Sequence, residues 1–349
     1  MAKKILITGA GGYIGSVATY LFLQKGFEVV AIDNFSKGYQ DPLDLLQQKY
    51  TSEKLRYYKI DLRDDLSSVF EKETCLLASR RSGPAGRKID AVIHYGAFCS
   101  VAESMASPEI YFSNNVCGSI NLLDTMLKYE VNKIVFSSTC AVYGETKQLS
   151  LDESHPTNPT NPYGESKRMI EKAIEWFGNL KNLNFVIFRY FNVCGATDDG
   201  AIGDSKKPSV HLVQNAVRGA LGVEPFFLTY SEVATPDKSP IRDYVNVLDL
   251  DEAHILAVDY LLNNGKNEII NLGTGTGNSV LEIVNTVEKI TGKKLDLKKA
   301  NLRQGEYASA VASIKKAKAV LNWQPKKTIS DGVNSLIKWY KRYPHGWSK

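Results

Sequence analysis

Short apolar runs alternate with stretches of helical periodicity through the first half of the chain. Residues 3–8 (Lys-Lys-Ile-Leu-Ile-Thr) form a continuous apolar run that stops at glycines, and such a run predicts a strand buried on both faces of a parallel sheet. Runs at 27–33, 55–60, 89–94, 133–138 and 184–189 repeat the signal. Between them apolar positions recur at helical spacing, as at Val17, Leu21 and Leu23, or Met169, Ile170, Ala173, Ile174 and Phe177. This alternation predicts an α/β fold with a doubly wound parallel sheet. After about residue 192 the pattern shortens to strands predicted at 226–230, 241–247, 268–272 and 295–297 among prolines and polar loops. The expected division is a larger domain over 1–191, with parts of 242–263 packing back on it, and a smaller α/β substrate domain over 192–349.

The first strand runs directly into Gly9-Ala10-Gly11-Gly12-Tyr13-Ile14-Gly15, a helix follows, and the second strand ends in Asp33, 18 residues beyond Gly15. Glycines permit a tight turn and let backbone N–H groups approach a pyrophosphate, whose charge is favoured at the helix N-terminus. An acid at the end of the second strand accepts hydrogen bonds from an adenosine ribose and repels a 2′-phosphate, so the unit predicts NAD rather than NADP. The predicted strand ends carry Gly9, Asp33, Asp61, Tyr95-Gly96-Ala97 and Ser137-Ser138-Thr139. Ligands of such sheets bind beyond the carboxyl ends of the strands, so one cleft is expected to collect them.

Tyr-x-x-x-Lys occurs four times, at Tyr50/Lys54, Tyr129/Lys133, Tyr143/Lys147 and Tyr163/Lys167. The first precedes a strand in a polar connection, the second straddles a helix end and a strand start, and the third contains a turn-like glycine. Only Tyr163/Lys167 follows a helix-start signal, Asn161-Pro162, with an amphipathic run behind it. At i and i+4 the two side chains share a helix face. A neighbouring ammonium favours phenolate, so Lys167 is expected to lower the pKa of Tyr163 and equip it for proton transfer.

Composition adds mainly exclusions. The 349 residues are 43% apolar and 23% charged, ordinary for a globular protein, and no apolar run reaches the length of a membrane span. A cytoplasmic chain is expected. The five cysteines, Cys75, Cys99, Cys117, Cys140 and Cys194, are scattered and the histidines lack metal spacing, so neither disulfides nor a metal site is predicted. His94 ends a buried strand and reads as a structural histidine. The net charge of +5 is modest and the C-terminal lysines are interleaved with apolar residues, which predicts a solvated face rather than a nucleic-acid site. The basic stretch 79–88 reads as an exposed loop. Gly273-Thr274-Gly275-Thr276-Gly277 looks like a second phosphate loop, but Asn278-Ser279 behind it makes a turn into a helix cap the better reading.

Gly9-x-x-Gly12-x-x-Gly15, Ser137-Ser138-Thr139 and Tyr163-x-x-x-Lys167, in this order, resemble the extended short-chain dehydrogenase/reductases, which have a Rossmann-type sheet. Val101-Ala102-Glu103-Ser104 with Asn114-Asn115-Val116, Ala141-Val142-Tyr143-Gly144, Arg189-Tyr190-Phe191-Asn192, Arg242-Asp243-Tyr244 and Arg303-Gln304-Gly305-Glu306 extend the likeness from about residue 4 to about residue 345 and point to the 4-epimerases of UDP-hexoses. The resemblance implies catalysis by Tyr163, Lys167 and Thr139. It implies an NAD site at Gly9, Gly12, Tyr13, Ile14, Gly15, Asp33, Asn34, Ser36, Asp61, Leu62, Tyr95, Gly96, Ala97, Cys99, Asn114, Tyr163, Lys167 and Phe191. It implies a UDP-sugar site at Thr139, Tyr163, Asn192, His211, Leu212, Arg242, Arg303, Glu306 and Ala310, and a homodimer. Cys99 stands where well-known members carry a lysine that touches the cofactor, and Ala310 where many carry a larger residue beside the sugar.

Other readings of the same scaffold are a 4-epimerase for UDP-N-acetylglucosamine, UDP-xylose, UDP-arabinose or UDP-glucuronate, a nucleotide-sugar dehydratase, or a non-catalytic NAD sensor. Dehydratases usually place an acid just after the strand-end Thr, whereas Thr139 is followed by Cys140 and Ala141. NAD sensors tend to lose the Tyr/Lys pair, which this chain keeps.

Overall fold

The computed structural model describes residues 2–74, 88–145, 150–206, 209–228, 230, 232–296, 298–299 and 308–347, with backbone alone at 298–299. Its strands are β1 (Lys4–Thr8), β2 (Glu28–Asp33), β3 (Leu55–Lys59), β4 (Ala91–His94), β5 (Lys133–Thr139), β6 (Ser150–Leu151), β7 (Asn184–Tyr190), β8 (Asn192–Cys194), β9 (Phe227–Leu228), β10 (Ile241–Asn246), β11 (Glu268–Leu272), β12 (Gly277–Ser279), β13 (Lys298–Lys299) and β14 (Ser309–Ala312). Its α-helices are α1 (Tyr13–Gln24), α2 (Asp41–Gln47), α3 (Ser67–Thr74), α4 (Val101–Ala106), α5 (Pro108–Tyr111), α6 (Gly118–Lys128), α7 (Pro162–Lys181), α8 (Leu212–Ala220), α9 (Val247–Leu262), α10 (Val280–Thr291), α11 (Lys315–Leu321) and α12 (Ile329–Arg342). A π-helical turn, Phe112–Cys117, joins α5 to α6.

Seven strands form one sheet in the order β11-β7-β5-β4-β1-β2-β3. Every residue of the central β1 is buried, whereas β3 at the edge is half-exposed, as expected of strands covered on both faces and on one. The order reverses between β1 and β4, which pair in parallel with Thr8 opposite His94. Their carboxyl ends are thus the topological switch point of the sheet, where doubly wound folds take their ligands. Lys4 lies in this core, where its ammonium meets Glu73 at 2.8 Å. Arg56 and the Tyr58 hydroxyl satisfy the rest of that buried carboxylate, which without them would be costly.

The chain divides into two compact units, one of 1–142, 159–188 and 254–269, the other of 143–158, 189–253 and 270–349. Residues 254–263 belong to the first unit, part of the 242–263 return that the sequence pattern suggested, whereas 143–158, expected in the larger domain, belong to the second. The run at 268–272, expected in the smaller domain, is β11 at the edge of the large sheet beside β7, and α9 carries the chain back to it. In the second unit β10 is the organising strand, flanked by β12, β14 and β8. Helices α8, α10 and α12 close a core of Val213, Val217, Ile283, Val287, Leu336 and Trp339. The strand expected at 226–230 is reduced to β9, and its partner β13 lies at 298–299, beyond the 295–297 that the sequence suggested.

The Gly273–Gly277 loop is filled from inside the chain. The Asp243 carboxylate accepts from Thr274 N at 2.7 Å, Thr274 Oγ1 at 2.6 Å, Gly275 N at 3.0 Å and Ala312 N at 3.1 Å. Backbone N–H groups in such a loop form an anion-binding concavity, and here the anion is Asp243. Ser279 then caps α10 in a capping box with Glu282, the helix cap that the sequence suggested.

Candidate active site

The glycine turn is built to let a large group approach. Gly9 has φ of +71°, and a Cβ there would lie 2.6 Å from Gly96 N, so the ends of β1 and β4 meet backbone to backbone. A Cβ on Gly15 would lie 2.1 Å from Gly9 O, which explains why α1 starts with its backbone against the turn. Gly12 is the N-cap of α1 and brings no side chain to its first-turn N–H groups, leaving them for an anion. Asp33 accepts from Gly11 N at 2.9 Å and Phe35 N at 2.7 Å, holding a carboxylate at the mouth of the turn. Asn34 donates to Asp61 at 2.7 Å, and Ser36 N donates to Asn34 Oδ1 at 2.9 Å. Arg63 grips Asp61 with two nitrogens and holds its carboxyl well below the usual range. A cradle of bare backbone with an acid beside it fits NAD, and these residues are the ones that would hold it.

Tyr163 and Lys167 lie on the first turns of α7. Asn161 caps that helix by accepting from Gly164 N at 2.8 Å, and Pro162 occupies its first position. A Cβ on Gly164 would be 2.7 Å from Ala141 O, so the helix starts hard against the turn that follows β5. Lys167 is 2% exposed, its Nζ donates to Ser137 O at 2.7 Å, and the ammonium sits 4.8 Å over the Phe136 ring. Burial lowers its pKa to about 8, while Cys99 and Glu171 pull the other way. Tyr163 is half-buried, with Tyr111 edge-on at 6.4 Å between ring centroids.

The expected effect of Lys167 on Tyr163 is corrected here. Burial holds the Tyr163 phenol above its ordinary value, Cys99 adds to this, and the opposing group is the Thr139 hydroxyl, hydrogen-bonded to the phenol. The ammonium is directed at the Ser137 carbonyl instead.

The other residues predicted for the cofactor cluster around the same strand ends. Gly96 N donates to Thr8 Oγ1 at 3.3 Å, and a Cβ on Gly96 would come within 2.9 Å of Leu62 Cδ1. Tyr95 is buried against His254, Ala97 is half-buried, and Cys99 is exposed. Asn114 donates to Asn115 Oδ1 at 3.0 Å. Tyr13 and Ile14 open α1. His94 is structural, as expected. Ser119 Oγ donates to Asn115 O at 2.6 Å and must therefore accept from His94 Nε2 at 2.7 Å, while Thr8 Oγ1 donates to His94 Nδ1 at 2.7 Å. Burial pushes the pKa of the ring down to about 3, so it is neutral near pH 7 and its Nδ1 is the acceptor for Thr8.

Of the predicted sugar-nucleotide residues, Thr139 and Tyr163 belong to the first unit, whereas Asn192, His211, Leu212, Arg242 and Ala310 belong to the second, as does Phe191, which is buried with its N–H on Leu272 O at 3.1 Å. Asn192 opens β8 and donates to Asp243 O at 3.3 Å. His211 precedes Leu212 at the start of α8, and burial lowers the pKa of its ring. Arg242 and Ala310 are cross-strand partners on β10 and β14. Arg303 and Glu306, like all of the basic stretch except Lys88, fall outside the described residues.

Sequence reasoning did not single out Asn115, Ser166 or Glu171. Asn115 is fully buried, accepts from Phe98 N at 2.8 Å and donates to Phe98 O at 3.1 Å and Ser166 Oγ at 3.0 Å. Ser166 in turn donates to Tyr163 O at 2.8 Å. The available signal for Glu171 was an acid on the apolar face of α7, four residues past Lys167.

Residues 5–273 match the family model described as NAD dependent epimerase/dehydratase family. The chain belongs to that family. A UDP-glucose 4-epimerase of Halalkalibacterium halodurans is 39% identical over 99% of this chain and 97% of its own length. Among solved structures, the UDP-glucose 4-epimerase from Bifidobacterium longum in complex with NAD+ and UDP superposes with a TM-score of 0.87 at 31% identity, covering 99% of this chain and all of that one (100%). The UDP-Glc/GlcNAc 4-epimerase of Campylobacter jejuni gives 0.81 at 32% identity, over 98% of this chain and 100% of its own. Among the described residues, no helix is long and apolar enough to cross a membrane, and no group of His, Cys, Asp or Glu could hold a metal ion.

Proposed function

We propose that this chain catalyses NAD-dependent epimerisation at C4 of a UDP-hexose, interconverting the glucose and galactose forms. The observation that carries this reading is the strand end Thr139-Cys140-Ala141 facing Tyr163: it offers one phenol and one hydroxyl, with no carboxylate at 140 or 141. Eliminating a hydroxyl needs an additional acid, whereas moving one proton on and off a single oxygen needs only this pair. Bound NAD supplies the acceptor and donor of the C4 hydride and a positive ring charge that favours the Tyr163 phenolate. Tyr163 takes the proton of the 4-OH as the C4–H bond breaks and the carbonyl forms, and returns it when hydride is restored to the opposite face of the 4-keto sugar. Thr139 holds the reacting oxygen, and Lys167 supplies a fixed cation beside it. Arg242 is suited to the diphosphate, because guanidinium binds phosphate oxygens in pairs.

The names of the relatives support the substrate class, and Ala310 supports breadth within it. An Ala at this register position takes less space than a larger side chain would, which favours acceptance of an N-acetyl group at C2. The test is incubation of the full chain with UDP-galactose and chromatography of the nucleotide sugar, with Tyr163→Phe alongside. Turnover in the wild type and a loss of about 10²- to 10⁴-fold in the variant are expected; near-normal turnover in Tyr163→Phe would remove the role given to the phenol.

A homodimer is part of the same reading. Helix α7 exposes Met169, Trp176 and Leu180, the last two at 63% and 68%, and Met105 on the neighbouring α4 is 63% exposed. An apolar stripe of this kind calls for a partner, and light scattering at micromolar concentration reads whether a second copy covers it.

A further inference from the structure

Three consecutive residues of β5 meet three residues of α7 that stand one turn apart. Ser137 O accepts from Lys167 Nζ at 2.7 Å, Ser138 Oγ donates to Glu171 Oε1 at 2.5 Å, and Thr139 is hydrogen-bonded to Tyr163. Tyr163, Lys167 and Glu171 follow the i, i+4, i+8 spacing that lines one helix face. Glu171 is fully buried, and its second oxygen accepts from Arg168 Nη1 at 3.0 Å. A carboxylate in such a place is costly unless each oxygen is engaged, and here both are.

We propose that Glu171 is a positioning residue for the Tyr163–Lys167 pair: anchored to Ser138, it seats the catalytic helix on β5 in register and supplies the negative charge that faces the Lys167 ammonium. The inference rests on the reading of Tyr163 and Lys167 as the catalytic pair. Removing Ser138 would let α7 slide relative to the strand whose adjacent carbonyl and hydroxyl hold Lys167 and Tyr163. Removing the charge would leave the ammonium buried with less to balance it. The titratable groups that act on Lys167 are Cys99 from the loop after β4 and Glu171 on its own helix, and His94 of β4 feels its charge in turn. Of these His94 is neutral near pH 7, and Cys99 first and then Glu171, the one carboxylate among them, pull Lys167 upward against burial.

The experiment is the pH dependence of kcat and KM between pH 6 and 9 for the cofactor-loaded full-length wild type, Glu171→Gln, Ser138→Ala and Tyr163→Phe. Glu171→Gln keeps the shape and loses the charge, so the alkaline limb of its kcat profile is expected to move acidward by about one unit, a loss of about 5-fold at pH 8 that grows towards 10-fold at pH 9 and nearly vanishes at pH 6, with KM little changed. Ser138→Ala keeps the charge and loses the anchor, so its kcat should fall with the limb in place. A wild-type profile in Glu171→Gln, or a loss equal at every pH accompanied by a lower melting temperature, would overturn the proposal. Because Ser138→Ala is read independently, the anchor is still tested if Glu171→Gln fails to fold. Activity in Tyr163→Phe would instead remove the catalytic pair on which the inference rests, so the two failures are distinguishable.

Discussion

The ammonium of Lys167 lies 2.7 Å from the carbonyl oxygen of Ser137 and is buried there. A lysine whose folded pKa falls to about 8 takes up its proton in the unfolded chain at higher pH than in the folded one. Between about pH 8 and the ordinary lysine value the unfolded state therefore binds more protons, and stability rises with pH across that window. Below it the buried charge is a standing cost. Lys167→Met is accordingly expected to raise unfolding stability at pH 7 by about 1–3 kcal/mol, offset in part by the orphaned Ser137 carbonyl, and to abolish turnover. Urea denaturation of the variant beside the wild type checks it, and a destabilised Lys167→Met would contradict the assignment.

His94 sets the acid side. Its pKa is depressed to about 3, so between the ordinary histidine value and pH 3 the unfolded chain gains a proton that the folded chain excludes. Stability from this group is complete above about pH 6.5 and is lost as pH falls towards 3. His94→Gln is expected to flatten that part of the stability curve while costing on the order of 1–3 kcal/mol at pH 7 through imperfect pairing of Thr8 and Ser119. An unchanged acid slope in the variant would mean that other groups carry it.

Asp33 is expected to decide the choice of dinucleotide. Its carboxylate is fixed by Gly11 N and Phe35 N and would face a 2′-phosphate with like charge. Apoprotein should regain activity with NAD and not with NADP, and Asp33→Ala should narrow the ratio by weakening NAD more than it helps NADP. Equal reactivation of the wild type by both would end that role.

Ala310 is the cross-strand partner of Arg242, which puts the small side chain on the strand beside the arginine proposed for the diphosphate. Measurable epimerisation of UDP-N-acetylglucosamine alongside UDP-glucose is expected. Ala310→Tyr should lower kcat/KM for the acetylated nucleotide at least ten-fold more than for the plain one, the scale of a small-group steric discrimination. An unchanged ratio would place the sugar elsewhere.

The strand and helix periods, the glycine turn and Asp33 were legible in the amino-acid sequence because each depends on local chemistry: a buried strand needs an unbroken apolar run, and a tight turn at positive φ needs glycine at position 9. Helix α7, its cap at Asn161 and its choice over the other Tyr-x-x-x-Lys pairs were legible for the same reason. What tertiary structure decided lies between segments distant in the chain. The anion in the Gly273–Gly277 loop is Asp243, 31 residues from Thr274, and no local pattern distinguishes a loop that wraps its own carboxylate from one that wraps a phosphate. The return of 268–272 to the large sheet was hidden because a five-residue strand signal, Glu-Ile-Ile-Asn-Leu, fits either unit equally well. The direction of Lys167 turned on burial and on a carbonyl 30 residues away: helical spacing places two side chains on one face, but the packed strand beneath them determines where the charge goes.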